Sequence, residues 1–152
     1  MERGAVVMVT RIGILAVLLA MSAPIFAADR AAVLVVSADS PLTTLEPIEM
    51  RKLFLGLLVS RDGRPLRPVR NVSDERLGQV FLQHVVAMSQ TAYDRRILSQ
   101  VLQQGRPRPQ EIKSPEQLLK ALAADPLAVS YMWTKDVPQT ARFRIVRVLW
   151  TD

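Results

Sequence analysis

The run 31–37 (AAVLVVS) is apolar and β-branched, with only its last residue polar. A short run without alternation predicts a strand buried on both faces. From residue 44 the apolar positions change to helical spacing. In TLEPIEMRKLFLG (44–56), Ile48, Met50, Leu53 and Phe54 fall mostly on one face, with Thr44 expected as the cap and Pro47 in the first turn. Glu46 and Glu49 lie near the positive end, and Gly56 is expected to close the helix in the left-handed conformation.

LLV, SRDGRP and LRPVR (57–70) then read as strand, turn and strand. Asp62-Gly63 is a hairpin signal, and Pro65 and Pro68 confine the second strand to an edge, because proline has no N–H to donate. In NVSDERLGQVFLQHVVAM (71–88), Ser73 is the expected cap. Leu77, Val80, Phe81, Val85 and Met88 form a helical stripe, predicting a helix of about four turns. Ser89 is expected to cap another helix, ending at Gly105, before the proline-broken loop GRPRPQEIK (105–113). Ser114, Pro115 and Gln117 mark the start of a further helix as a capping box does, and Pro126 ends it. Segments 127–133 and 142–150 predict two strands, the last with a phase change between Ile145 and Val146 that implies a bulge or cover on both faces. The order of strand, helix, hairpin, three helices and two strands predicts an α/β domain with a small mixed sheet flanked by helices.

Residues 1–27 read as a secretory signal: Arg3 and Arg11, then ten apolar residues Ile12–Met21, then the small-residue exit SAPIFA. Ten residues fall short of the roughly 20 that span a bilayer, so cleavage near Ala27 is expected, leaving residues 28–152 as one domain in the periplasm with no membrane span. The chain has no cysteine, hence no disulfide framework and no thiol for lipid attachment. Its net charge is +6, and sixteen of the 20 basic residues are arginine. That surplus favours anionic partners at long range. The arginines are scattered rather than set in a stripe with interleaved aromatics, which argues against nucleic acid.

One histidine, His84, and no cysteine leave too few parts for a metal cluster or a histidine- or cysteine-based nucleophile system. Asp74 and Glu75 are adjacent, so on a helix they point apart and make a poor acid–base pair. No glycine-rich phosphate loop is present and no cofactor is implied. The residues therefore argue against an enzyme.

LTTLEPIEMRKLFLG, followed by the Asp-Gly turn with LRPV, a helix carrying VF and a final PLAVSYM, resembles the short phosphate-binding-protein-like members of the type 2 periplasmic binding protein superfamily. The resemblance covers about residues 31–136 and implies a single or reduced lobe of a fold that, in full-length members, closes two lobes around an anion and serves an ABC transporter. By that resemblance, inorganic phosphate or a similar oxyanion is the expected ligand, gripped by the loop before the second main helix (Asn71, Ser73, Arg76) and by the loop after the first strand (Ser40, Thr43, Thr44). The chain departs from the family where Ser73-Asp74-Glu75 replaces a Ser-Gly-Thr, because two carboxylates repel phosphate. LAVSYM also lacks both glycines of its counterpart. The alternative is a domain that has lost its solute and acts as an accessory to an envelope transporter or sensor. A third possibility, non-specific binding of anionic lipid or nucleic acid through the arginines, predicts steep salt dependence.

Overall fold

The computed structural model describes residues 30–152. The expected signal, residues 1–27, lies outside the described residues. Strand β1 (Ala32–Ser37) is buried along its whole length, as its unbroken apolar run predicts. It pairs antiparallel with β6 (Ala128–Trp133) on one side and with β7 (Phe143–Trp150) on the other. The five-stranded sheet has the order β5, β4, β6, β1, β7, where β4 is Arg67–Asn71 and β5 is Gln110–Ile112. β4 runs parallel to both β5 and β6, so the sheet is mixed.

Side chains alternate across the sheet with a period of two, and both faces find cover. Ala32, Leu34 and Val36 join Val129, Tyr131 and Trp133 in a core with α1 (Pro47–Phe54), α2 (Glu75–Val80) and α3 (Gln90–Gln104). Val33 and Val35 join Ala128 and Met132 against Leu118 and Leu122 of α4 (Pro115–Ala124). Phe81 sits at the centre of the first core. It stacks on Tyr131 at 4.9 Å between ring centroids and meets Phe54 and Tyr93 edge-on at 5.4 Å.

α1 ends in a Schellman motif: the Gly56 N–H donates to the Leu53 carbonyl and the Leu57 N–H to the Lys52 carbonyl, with Gly56 at φ +81°. Asp62 and Gly63, both at positive φ, turn the hairpin between β2 (Ser60–Arg61) and β3 (Arg64–Pro65), as their sequence predicts. A bulge falls at Val146, where Leu34 pairs with Arg147 and Val35 with Ile145, and a second register shift leaves out Leu149, where Ala32 pairs with Trp150 and Val33 with Val148.

Several local expectations are corrected. α1 is capped by Glu46 rather than Thr44, because the Glu49 carboxylate reaches back to the Glu46 N–H at 3.1 Å, and Ile48 points to solvent. The helix expected over 73–88 divides into α2 and a π-helical turn, Phe81–Val86, closed by Ala87 at φ +53°. The strand expected at an edge, β4, is interior. Pro68 is accommodated because β5 pairs only from Val69 onward, so the missing donor meets no neighbour on that side. The loop GRPRPQEIK contains β5. Ser114 does cap α4, but its hydroxyl donates to Glu116 at 2.7 Å rather than Gln117 returning a contact.

Candidate functional site

β4 delivers Asn71 to the end of the sheet where β6 finishes at Trp133, and there the chain turns into α2. Asn71 is 1% exposed and fully employed. Its Nδ2 donates to the Tyr131 carbonyl at 3.0 Å, while its Oδ1 accepts from the Ser73 N–H at 3.1 Å and from the Ser73 hydroxyl at 2.6 Å. This Asx turn takes Ser73 out of the capping position. The cap is Asp74 instead, one residue later: its Oδ1 accepts from the Leu77 N–H at 2.7 Å and from the Trp133 indole N–H at 3.2 Å.

The consequence is electrostatic as well as geometric. Where the family resemblance expects an oxyanion at the positive start of a helix, this chain supplies its own carboxylate. Arg76, the remaining residue of that loop, is exposed. Its guanidinium lies 5.2 Å from the Trp150 ring centroid and 3.4 Å from Asp152, whose carboxylate also accepts from Arg30 at 3.0 Å. The hydrogen bond from Arg30 holds the Asp152 carboxyl below the usual carboxylate range. A cavity of about 230 Å³ beside α2 is lined by Arg30, Asp74, Arg76, Trp133, Lys135 and Trp150.

The second expected loop leaves the sheet at the opposite end. β1 runs antiparallel to β6, so Ser37 emerges where β6 begins, about 17 Å along the strand from the Ala32 end. Ser40 is buried in its own turn. Its hydroxyl accepts from the Leu42 N–H at 3.2 Å, and its carbonyl, with that of Leu42, accepts from Arg144 at 2.9 and 2.8 Å. Thr43 and Thr44 are exposed, and the Thr44 carbonyl accepts from Arg61. Asn71 and Ser73 are thus brought together, with Arg76 one turn away, whereas Ser40 leaves from the far end. None of the four cavities described is lined by Ser40, Thr43, Thr44, Asn71 or Ser73.

Arg70 is the site residue that sequence reasoning did not single out. It is 5% exposed, with its guanidinium carbon 4.7 Å from the centroids of both Phe81 and Tyr93 and its Nη1 3.1 Å from Glu111. Among the described residues, neither its Nε nor the buried Tyr131 hydroxyl has a hydrogen-bond partner of good geometry. Burial pushes the Tyr131 hydroxyl up to about 12, although the Arg70 guanidinium acts to lower it, and Tyr93 is raised by burial as well. The sequence placed this strand at an edge, where an arginine is ordinary, and the aromatic clamp is contributed by residues far along the chain. His84 is exposed. Among the described residues, no helix is long and apolar enough to cross a membrane.

No protein-family model and no curated protein matches the chain. Its fold is similar to that of an ABC-type phosphate transport receptor from Vibrio cholerae, with a TM-score of 0.56 and 11% identity, over 78% of this chain and 46% of that one. The match covers less than half of the receptor. The likeness is one of fold, and it agrees with the mixed, helix-flanked α/β sheet of binding-protein type expected from the sequence.

Proposed function

We propose that this chain is an exported, binding-protein-like module that serves an envelope transporter or sensor as an accessory and does not carry phosphate at the start of α2. One observation carries the reading: the loop that should grip an anion is engaged from within, Asn71 by Ser73 and Tyr131, and the Leu77 N–H at the α2 N-terminus by the Asp74 carboxylate. A phosphate entering there has to displace a carboxylate already bonded to the helix and approach Glu75 as well. The likeness of fold to a transport receptor supports the class. The apolar segment Ile12–Met21 with its small-residue exit supports delivery to the periplasm.

A second reading keeps the solute: a component related to phosphate ABC transporters that binds phosphate or another oxyanion at the α2 end of the sheet, where Asn71, Ser73 and Arg76 lie, without the Ser40, Thr43 and Thr44 loop, which leaves from the far end. It draws on the cations Arg30, Arg76 and Lys135 around the cavity beside α2. The two readings separate in the melting temperature of the full chain in phosphate, sulfate and chloride at matched ionic strength. Equal melting in all three supports the accessory. A rise of several degrees in phosphate alone, corresponding to about 2.7 kcal/mol at 100 times the dissociation constant, supports the solute carrier and overturns the first reading.

A further inference from the structure

The parallel ladder between β4 and β5 begins with Val69 opposite Gln110. One step earlier the register sets Pro68 opposite Pro109, and the Pro68 nitrogen, which faces β5, carries no hydrogen, so the ladder stops there. A groove of about 730 Å³ opens at this edge, with Leu66 and Pro68 on one side and Pro107 and Pro109 on the other. Its remaining walls include Leu57 and Leu58, just past the Gly56 turn, and Ala121 of α4. Leu58 is 67% exposed. The groove lies where β4 and β6 begin, at the other end of β4 from Asn71 and α2.

Three guanidinium groups line the groove, and they are not equivalent. Arg67 is answered by Asp125 at 2.9 Å. Arg106 spends one N–H on the Gly56 carbonyl at 3.0 Å, and Arg108 is exposed. Neither Arg106 nor Arg108 forms an ion pair among the described residues. A concave, mostly apolar groove within the volume range of small-molecule sites, with two uncompensated guanidiniums at one side, has the makings of a ligand site.

We propose that this groove binds a free amphipathic anion, with an apolar body along Leu57, Leu58, Leu66 and the three prolines and a carboxylate head at Arg106 and Arg108. The charge selects an anion, the apolar walls select against a bare oxyanion, and the concave shape suits one molecule rather than a flat bilayer. This site goes beyond the accessory reading and stands apart from the α2 loop.

The test is calorimetric titration of the full chain, processed as its host cell processes it. The probes are laurate below its micelle concentration, dodecyltrimethylammonium of the same chain length, and inorganic phosphate. Laurate is expected to bind, the cationic amphiphile to bind about tenfold more weakly or less, and phosphate to give no heat from the groove. Arg108→Gln is expected to weaken laurate about tenfold, and Leu58→Asp to abolish its binding. Both side chains are exposed, and melting without laurate checks that each variant folds. Equal affinity for the two amphiphiles, laurate affinity unchanged in Arg108→Gln, or no laurate binding overturns the proposal. Sedimentation with anionic vesicles in the absence of laurate binding also overturns it, and assigns the arginines to a membrane surface.

Discussion

The two ends of β4 solve opposite problems. At its C-terminal end, polar groups are gathered and answer one another: Asn71 holds Ser73 and the Tyr131 carbonyl, and Asp74 holds the Leu77 N–H and the Trp133 indole. At its N-terminal end, proline faces proline, the ladder stops, and apolar walls are left uncovered beside Arg106 and Arg108, which form no ion pair among the described residues. The comparison teaches that hydroxyls, an amide and a helix start do not make an anion site when the side chains bond one another and a carboxylate already caps the helix. A site needs unspent groups, and here those lie at the end that carries no anion-binding motif.

The largest perturbation removes the floor that both ends share. Phe81→Ala takes out a fully buried ring packed on Phe54, Tyr93, Tyr131 and Arg70, and is expected to cost about 3–5 kcal/mol in urea unfolding. A cost of under about 1 kcal/mol would deny the aromatic cluster its central role. Asn71→Ala breaks only the polar end. It leaves the buried Tyr131 carbonyl without the Asn71 amide and is expected to cost about 1–3 kcal/mol, with laurate binding retained.

Asp74→Ala sharpens the comparison. It is expected to cost about 1 kcal/mol as a lost cap and, by removing the resident carboxylate, to make melting more responsive to phosphate than in the unmodified chain. An unchanged response would show that the carboxylate is not what closes the loop. Ser73→Ala is expected to cost less than Asp74→Ala, because its hydroxyl donates to Asn71 without capping the helix. The reverse order in urea unfolding would restore Ser73 as the cap.

Alkaline pH probes the shared floor gently. Burial raises the Tyr131 hydroxyl to about 12 in the fold, whereas the unfolded tyrosine ionises near pH 10. Stability is therefore full below about pH 10 and falls as pH rises toward 12, since unfolding then releases protons. Tyr131→Phe is expected to reduce that fall and to be neutral or slightly stabilising at pH 7, because the hydroxyl it removes is buried with no well-placed partner among the described residues. A loss of stability at pH 7 would mean that the hydroxyl has a partner in solution. The smallest effect on urea unfolding is expected from Arg76→Gln, whose exposed, solvent-screened pair with Asp152 contributes little, with no change in phosphate response.

What could be read from the sequence follows the range of the forces involved. The doubly buried β1, the Schellman glycine at 56, the Ser89 and Ser114 caps and the Val146 bulge each rest on neighbours within a few residues, and all are present. The shifted cap at Asp74 was hidden because Ser73 is as good a local candidate, and only the buried Asn71, fixed to Tyr131 sixty residues away, draws its hydroxyl aside. β5 was hidden because proline-rich sequence argues against a strand until β4 supplies a partner. The Arg70 clamp joins β4 to the π-helical turn and α3, which no spacing rule connects. The convergence of the Ser40 and Ser73 loops, implied by family resemblance, depends on strand direction. Here β1 and β4 run opposite ways and carry the loops apart.

The measurement that tests the contrast most directly is amide chemical-shift mapping of the full, isotope-labelled chain titrated separately with phosphate and with laurate. The account predicts saturable shifts with laurate at Leu57, Leu58, Gln110 and Ala121, and no saturable shift with phosphate at Ser73, Asp74, Glu75 or Arg76. Saturable phosphate shifts at residues 73–76, with the groove residues silent to laurate, would contradict it.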